Sequence, residues 1–278
     1  MKKTLLFLSL FTALYASSQT QDTLYVWKAG QLVIKQSIKP ADMDSITFKR
    51  PLVNPNGINI AGPNVTDIDG NVYQSVSNCG LTFTKQNLNV SKYSDGTPIP
   101  QVQDPSAWAN LTTGAWCYHS NNTANGPVYG KLYNWYAVMG IYDSVSLVNP
   151  ALRKKLAPTG WHIPSDNEWT QVTTCLGGEL LAGGKMKATG TLESNTGLWS
   201  HPNSDATNES GFTGLPAGYR WNDGTFQVTE IIGQWWSSTE YFFLPSDAIF
   251  RGLYFSLAYV SNGPVDKTSG LSVRCIKN

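Results

Sequence analysis

The stretch GWHIPSDNEWTQVTTCLGG, residues 160–178, places His162, Asp166 and Glu168 within seven residues of one another. Imidazole and carboxylate groups this close could ligate a metal ion or act as a general acid and base. The same letters also describe a helix start, because Ser165 and Glu168 have the S-x-x-E spacing of a capping box. A negative charge at Asp166 would also stabilise the first helical turn. We therefore predict a capped helix here, with His162 on a strand edge or an entry turn just before it.

Two further sets of residues could support chemistry. A glycoside hydrolase needs two carboxyl groups at a defined separation, and the sequence offers Asp166, Glu168, Glu209 and Glu240. No G-x-S-x-G nucleophile motif occurs. The 3 histidines are widely spaced and there is no C-x-x-C, so the local spacing of metal ligands is missing. A secreted hydrolase stays an alternative hypothesis, and we predict neither a metal nor a cofactor.

The segment VTDIDGNVYQSV, residues 65–76, offers a different metal hypothesis. Asp67, Asp69 and Asn71 alternate as in a calcium loop, but Gly70 occupies the fourth position and no glutamate closes the loop. An Asp-Gly pair between alternating apolar residues is typical of a hairpin turn. We therefore predict a β-hairpin over this segment rather than a calcium site.

The N-terminal residues have the layout of a secretory signal peptide. Lys2 and Lys3 precede the apolar run LLFLSLFTALY, and small residues at 16–18 form a cleavage site. The run is too short to span a membrane, and no later stretch is long enough to do so. Residues 1–18 are therefore predicted to be removed on export. The product would be secreted or associated with the cell surface, without a transmembrane segment.

The composition narrows the classes of partner and of fold. Charged residues make up 14% and the net charge is +1, so no nucleic-acid partner is predicted. Aromatic residues make up 12%, and there are 25 Gly and 15 Pro, which favours a loop-rich fold. We predict a short β-rich segment over residues 19–50, a linker over 51–63 and a main domain over 64–278. Within that domain, residues 182–190 and 206–220 are predicted to be mostly loop.

Several motifs of the main domain occur in the order of a known family. The motifs are DIDGNVYQSV, KQNLNV, YGKLYNWYAV, LAPTGWHIPSDNEW, AGGKMKATG, ATNESGFTGLPAGYR, GQWWSSTEY and GLSVRCIKN. This part of the chain closely resembles the Fibrobacter succinogenes major paralogous domain. Members of that family are typically exported bacterial surface proteins whose molecular function is poorly defined. The earlier segment ending in DSITF resembles a leader found ahead of domains in exported Bacteroidetes proteins.

A more distant resemblance bears on the fold and on a rival activity. HIPSDNEW followed by LGG, and the closing GLSVRC, resemble segments of the formylglycine-generating proteins. That resemblance implies an α+β, loop-rich C-type-lectin-like fold with few helices and short antiparallel strands. It also raises an oxidase of the formylglycine-generating type, which uses a copper-bound pair of cysteines. No cysteine lies between Trp199 and Arg274, so Cys275 lacks a second thiol nearby in the sequence.

The disulfide candidates are Cys79, Cys117, Cys175 and Cys275. An even number of cysteines in an exported chain favours disulfides, and four cysteines allow three sets of pairings. Members of the family that this chain resembles often carry a cysteine at the position of Ala157, so a partner for Cys275 does not follow from them. We predict Cys117–Cys275 together with Cys79–Cys175, while the other two sets stay open.

Taken together, these features predict a non-catalytic binding or adhesion protein, with a polysaccharide or another surface protein as its partner. Aromatic rings can stack on sugar faces while their polar edges form hydrogen bonds. The W-N-D at residues 221–223 matches a motif of calcium-dependent lectins, but a glycine follows it and no E-P-N or Q-P-D occurs, which favours a hairpin turn. Burial in the core is the alternative for each candidate ring. The ligand-binding candidates are Trp221, Trp235, Trp236 and Tyr241.

Overall fold

The chain divides into two units, Met1–Leu52 and Val53–Asn278. The computed structural model describes residues 59–278 and, in the first unit, the two strands β1 (Asp22–Lys28) and β2 (Gln31–Ile38). These two strands form an antiparallel pair with an irregularity near the end of β1. The predicted β-rich segment therefore contains a two-stranded sheet.

Two of the predicted segments extend beyond the described residues. The predicted signal peptide at 1–18 lies entirely outside them. The predicted linker at 51–63 is described only at its end, where a strand of the second unit, β3 (Ile60–Thr66), has already begun. The folded unit therefore starts before residue 64, the boundary that proline content suggested.

The largest sheet of the second unit has five strands. With β3 they are β4 (Val72–Asn78), β5 (Leu81–Thr84), β8 (Trp161–His162) and β14 (Ile276–Lys277). Their order is β3-β4-β5-β14-β8, and every pair is antiparallel. The predicted hairpin over residues 65–76 is confirmed as part of the β3–β4 pair. Because β8 is an edge strand, His162 lies on a strand edge, as predicted.

The remaining strands form smaller antiparallel sheets. A three-stranded sheet consists of β11 (Ile232–Glu240), β12 (Asp247–Tyr254) and β13 (Ser261–Asp266), in that order. Two further sheets have two short strands each. They pair β6 (Trp116–Cys117) with β7 (Leu132–Tyr133), and β9 (Tyr219–Arg220) with β10 (Phe226–Gln227).

Helices are few and short in the described part of the chain. They are α1 (Pro105–Ala109), α2 (Gly126–Tyr129), α3 (Trp135–Val138), α4 (Ser144–Val148), α5 (Asp166–Cys175) and α6 (Glu179–Met186). None of them is long and apolar enough to cross a membrane. The loop predicted over residues 182–190 is wrong in its first part, which belongs to α6. A Cβ at Gly183 or Gly184 would collide with main-chain carbonyls, so the two glycines let α6 pack closely on neighbouring loops.

The core consists of three clusters of buried side chains. The largest collects residues from the five-stranded sheet, α3, β9 and the β11–β12 hairpin. A second cluster packs α5 and α6 against aromatic rings such as Trp199 and Phe212. A small third cluster surrounds Trp108. Few helices, short antiparallel strands and long ordered loops confirm the predicted loop-rich α+β fold.

Buried cations hold the loops together. Loop carbonyls lack the partners that a strand ladder supplies, and a buried carbonyl without a donor is costly. Three nearly solvent-free cationic side chains each donate to three main-chain carbonyls, in loops or at the ends of strands. Arg274 binds those of Thr84, Phe212 and Thr213, Arg220 those of Val102, Gln103 and Gly224, and Lys187 those of Ser204, Tyr254 and Leu257. The fold therefore depends on donors that come from distant parts of the chain.

Candidate functional site

The helix start at α5 uses its polar groups to hold itself in place. Ser165 N donates to Glu168 Oε2 at 2.8 Å, and Glu168 N donates to Ser165 Oγ at 3.4 Å, so the predicted capping box is confirmed. His162 completes the arrangement, because its Nε2 lies 3.0 Å from Glu168 Oε1 and its Nδ1 lies 2.7 Å from Asn278 Oδ1. The capping pattern did not explain His162. The structure shows that it is a partner of the Glu168 carboxylate, in addition to Ser165.

The pKa of Glu168 agrees with a role in capping the helix. Partial burial opposes ionisation of this carboxyl, but the hydrogen bonds from Ser165 and His162 outweigh it and lower its pKa below the ordinary 4.5. A general acid needs its proton near neutral pH, which requires a raised pKa. Glu168 is therefore suited to accept hydrogen bonds at the helix start, and not to donate a proton to a leaving group.

The four carboxylates that could serve a hydrolase each lie beside a separate basic side chain. Carboxylate-to-nitrogen distances are 2.6 Å for Asp166–Arg251, 3.0 Å for Glu168–His162, 3.5 Å for Glu209–Lys185 and 3.4 Å for Glu240–Lys267. A glycosidase instead directs two carboxyl groups at one substrate bond. The observed geometry is that of three separate ion pairs and one carboxylate–histidine contact.

The cysteines form one disulfide within the described residues. Cys79, in the turn after β4, is bonded to Cys175 at the end of α5 with a Cα–Cα distance of 5.8 Å, which confirms half of the predicted pairing. The predicted Cys117–Cys275 pair is wrong, because both are free and buried. Cys117 belongs to the small cluster around Trp108, whereas Cys275 belongs to the largest cluster. The two thiols therefore pack in different parts of the core.

These thiols do not fit the copper-bound pair of an oxidase. Copper(I) favours thiolate ligands, and a pair of them must lie side by side. Burial raises the pKa of Cys117 to about 12 and that of Cys275 to about 12, so both stay protonated at neutral pH. Cys79 and Cys175 are already joined to each other. No cysteine of the described residues provides the required ligand pair.

The turn that resembles a calcium loop is filled by protein donors. Asp67 Oδ1 accepts from Asp69 N and Asn71 N, each at 2.9 Å. Asp67 Oδ2 accepts from Asn71 Nδ2 at 2.8 Å and from the Tyr73 hydroxyl at 2.5 Å. The carboxylate organises the β3–β4 turn, as predicted. Within residues 59–278, no group of three or more His, Cys, Asp or Glu side chains is arranged to hold a metal ion.

Trp235 and Trp236 are wrong as ligand-binding candidates. They are 1% and 0% exposed and lie in two neighbouring core clusters. Trp235 Nε1 donates to Asn87 Oδ1 at 2.8 Å, and Trp236 Nε1 donates to the main-chain oxygen of Tyr133 at 2.7 Å. Each indole has a buried acceptor for its single polar group, which permits complete burial of a large ring.

Trp221 lies at the surface, as its candidacy requires. It is 41% exposed, and its ring packs edge-to-face on Tyr219 at 4.7 Å. The W-N-D motif forms a hairpin turn between β9 and β10, since Trp221 N donates to Thr225 O at 2.8 Å. Asp223 Oδ1 accepts from Thr225 N and from Thr225 Oγ1. The aspartate of the motif therefore stabilises the turn, which agrees with the predicted hairpin.

Tyr241 is half-buried and begins an exposed apolar turn between β11 and β12. We call residues Tyr241–Leu244 the aromatic tip. Phe242 is 89% exposed, Phe243 79% and Leu244 50%. The Phe243 ring contacts those of Tyr241 and Phe242 edge-to-face, at 5.7 Å and 5.3 Å. Phe242 is the most exposed large hydrophobic side chain in the described part of the chain.

The base of the aromatic tip is tied to the core by Lys267. Its Nζ donates to Pro245 O at 2.6 Å, lies 3.4 Å from Glu240 Oε1 and stands 4.6 Å from the centre of the Trp135 ring. Its main-chain N donates to Ser246 O at 2.9 Å. The lysine itself is only 7% exposed. The tip is therefore a supported turn.

Sequence reasoning named Tyr241 but missed Phe242 and Phe243. A run of apolar residues is normally assigned to the core, and here the run is YFFL. The signal that points the other way is the following Pro-Ser-Asp, which is typical of a turn between strands. An apolar run placed in a hairpin turn has no sheet face to cover and remains exposed.

Comparison with known proteins gives a family but no function. A search of curated proteins and a search of solved structures each found no match. The family described as the Fibrobacter succinogenes major domain matches residues 76–277, which is well over half of the 278-residue chain. The matched region runs from the end of β4 to β14 and includes both α5 and the aromatic tip. The chain is thus a member of the Fibrobacter succinogenes major domain family.

Proposed function

We propose that this chain is a non-catalytic binding or adhesion protein that acts outside the cytoplasm through its aromatic tip. The observation that carries the proposal is the exposure of Phe242 and Phe243, at 89% and 79%. Adjacent exposed apolar side chains are characteristic of surfaces that contact another molecule. Export rests on the predicted signal peptide at residues 1–18.

The chemistry of the aromatic tip indicates how it would bind. Its rings offer apolar faces, and two charged groups at its base, Glu240 and Lys267, are paired with each other. Such a surface favours partners with apolar faces of their own, either the C–H faces of a polysaccharide or an apolar patch on another surface protein. Because Lys267 supports the turn from within, little conformational freedom of its main chain would be lost on binding.

The structure supports a hydrolase activity or an oxidase activity less well than it supports binding. The carboxylates available to a hydrolase each lie beside a different basic side chain. The thiols available to an oxidase are either joined in a disulfide or buried apart. By contrast, the aromatic tip has exposed side chains with no partner in the core.

The test is binding of the purified protein to cellulose, xylan, chitin and starch, with and without calcium, followed by tryptophan fluorescence and sedimentation. We expect saturable binding to one polymer, weakened at least about tenfold in the Phe242→Ala/Phe243→Ala variant, since central aromatic contacts are worth about 2 kcal/mol or more. The matched control is Val145→Ala/Val148→Ala, which removes exposed side chains of α4.

The outcomes separate the hypotheses. Equal binding by the tip variant and the unaltered protein would contradict the role of the aromatic tip. Binding that requires calcium and is lost in Trp221→Ala would move the site to the β9–β10 turn. Retention on none of the four polymers, with tip-dependent binding to surface proteins, would assign the partner to the protein class.

A further inference from the structure

A group of aromatic side chains lies at the end of the β11–β12 hairpin opposite the aromatic tip. The Tyr219 ring contacts the Trp221 ring edge-to-face at 4.7 Å, and the rings of Tyr254 and Tyr259 lie 6.2 Å apart with a tilt of 32°. Trp221 is 41% exposed, and Tyr254 and Tyr259 are half-buried. Together with Gln234 of β11, we call these residues the tyrosine face.

Strand pairing places the members of the tyrosine face on the same side of the sheet. Tyr254 pairs with Ile232, and Gln234 lies two residues further along β11, so the side chains of Tyr254 and Gln234 point to one face. The strand β9, which contains Tyr219, lies alongside the start of β11. Burial raises the pKa of Tyr219 to about 12, and the neighbouring Tyr254 adds to this rise. The two pairs of rings are therefore neighbours.

Several polar groups of the tyrosine face lack a partner and can be reached from solvent. Within residues 59–278, the hydroxyls of Tyr219, Tyr254 and Tyr259 form no hydrogen bond, and each keeps some solvent-accessible surface. The same is true of both amide atoms of Gln234, although this residue is only 5% exposed. Its partner on β12, Gly252, has no side chain that could cover the amide. A ligand that offers both a donor and an acceptor would satisfy this amide, which is costly to leave unpaired.

The turn that carries Tyr259 is fixed before any ligand arrives. Gly184 N donates to Ala258 O at 2.9 Å, and the buried Lys187 Nζ donates to Leu257 O at 2.9 Å. On the other side, the β9–β10 turn holds Trp221 through the hydrogen bond described above. Little conformational freedom of the main chain would therefore be lost on binding.

We propose that the tyrosine face binds the chain of a neutral glycan. Aromatic rings pack against the C–H faces of sugars, while their polar edges form hydrogen bonds. A phenol hydroxyl and a side-chain amide each donate and accept, and sugar hydroxyls do the same. This site is separate from the aromatic tip and does not depend on the function proposed for it.

The same groups argue against other ligands. A proline-rich peptide also docks on aromatic rings, but proline has no N–H to donate to the amide oxygen of Gln234. None of the side chains in the tyrosine face is charged, so a charged glycan would lose hydration without meeting an opposite charge. None is a carboxylate either, so binding should not require calcium.

The experiment is a titration of the ¹⁵N-labelled protein with disaccharides and hexasaccharides of cellulose, xylan, mannan and starch, followed by NMR and calorimetry. We expect saturable shifts of the Gln234 side-chain amide and the Trp221 indole N–H for at least one hexasaccharide, with or without calcium. Trp221→Ala should weaken binding about tenfold, because it removes an exposed ring of the face. Tyr254→Phe and Tyr259→Phe remove only a hydroxyl and should each weaken binding about two- to tenfold.

Matched variants separate this site from folding effects and from the aromatic tip. Tyr142→Phe, which removes the hydroxyl of an exposed tyrosine before α4, should leave binding unchanged. Phe242→Ala/Phe243→Ala should also leave it unchanged, so failure of the tip and failure of the tyrosine face can be told apart. Absence of saturable shifts with every neutral oligosaccharide, or equal affinity of Trp221→Ala and the unaltered protein, would overturn the proposal. Shifts produced only by a proline-rich peptide would overturn it in favour of a peptide ligand.

Discussion

The helix start at α5 and the aromatic tip contain opposite kinds of residues in opposite environments. The helix start contains His162, Asp166 and Glu168, which are types that can catalyse reactions, and each is paired inside the protein. The aromatic tip contains Phe242 and Phe243, which cannot transfer protons or bind metals, and both face solvent. In this protein the residue types that could catalyse a reaction belong to a structural element, the start of α5. The candidate contact surface, the aromatic tip, consists of residues that could not.

The difference follows from what each side chain needs from the fold. A partly buried carboxylate or imidazole must find hydrogen-bond partners, so the fold provides them and the group becomes part of the scaffold. An exposed phenyl ring needs no partner, but it leaves apolar surface in water. Residue type alone is therefore a weaker guide to function than the environment of the side chain. What matters is whether the fold supplies hydrogen-bond partners to a polar group and whether it covers an apolar one.

The first prediction concerns Asp166, whose removal should have the largest effect. Asp166 Oδ1 lies 2.6 Å from Nη2 of Arg251, a side chain that is only 3% exposed. Asp166→Ala would leave a buried guanidinium without its counter-charge, so we expect the free energy of unfolding to fall by about 3 kcal/mol. Urea denaturation at pH 7 measures this change. Ligand binding at the aromatic tip should not change.

The matched control for Asp166 is Glu209→Ala. Glu209 pairs with Lys185 at 3.5 Å, but the two side chains are 48% and 32% exposed to water. Exposed ion pairs contribute about 0–1 kcal/mol, so this control should change stability little. If both substitutions had equally small effects, Asp166 would not be part of the scaffold, and the contrast between the two regions would weaken.

The second prediction tests whether the aromatic tip is a supported turn. Lys267→Met keeps an apolar stem near Trp135 but removes the donor to Pro245 O and the partner of Glu240. We expect a loss of about 1–2 kcal/mol in the free energy of unfolding, because the Pro245 carbonyl loses its donor and Glu240 loses its partner. Hydrogen exchange of the amides at 241–246 should accelerate more than that of the amides in β11.

A control distinguishes support of the turn from general stability. Lys185→Met removes a partly exposed lysine that pairs with Glu209 and should leave exchange at 241–246 unchanged. If Lys267→Met changed neither stability nor local exchange, the turn would hold its shape without this lysine. Binding of a partner at the aromatic tip would then cost more conformational entropy of the main chain.

Local sequence patterns predicted the parts of the structure whose partners are close in the chain. Ser165 and Glu168 are three residues apart, so the capping box could be read directly. Asp69-Gly70 and Asn222-Asp223-Gly224 indicated turns for the same reason, and both are turns in the structure. The loop-rich character followed from composition, whereas the C-type-lectin-like architecture was implied by the resemblance to formylglycine-generating proteins, which reports on long-range packing that local patterns do not contain.

The errors concern residues whose environment is set by distant contacts. Trp235 finds its acceptor on Asn87, 148 residues away, and Trp236 finds one on Tyr133, 103 residues away, so their burial was not visible in local sequence. Cys117 and Cys275 were predicted to form a disulfide, whereas packing separates them into two clusters. The exposure of Phe242 depends on how β11 and β12 pair, because that pairing places the apolar run in the turn.

The smallest predicted effect concerns Glu168, and it depends on pH. Glu168→Gln keeps the shape of the capping box but removes the charge that accepts from Ser165 and His162, so we expect a loss of about 1 kcal/mol at pH 7. The folded state lowers the pKa of Glu168 below 4.5. The stabilisation is therefore complete above that value and is lost as the pH falls through the folded-state pKa.

Unfolding measured from pH 7 to pH 3 should show the gap between the unaltered protein and Glu168→Gln closing on the acid side. His162→Ala is the matched control, and we expect it to cost no more than about 0.5 kcal/mol, since its side chain is 42% exposed. A gap that widened as the pH fell would mean that Glu168 is stabilised in its protonated form. That is the behaviour of an acid poised for chemistry, and it would return the helix start to the list of candidate active sites.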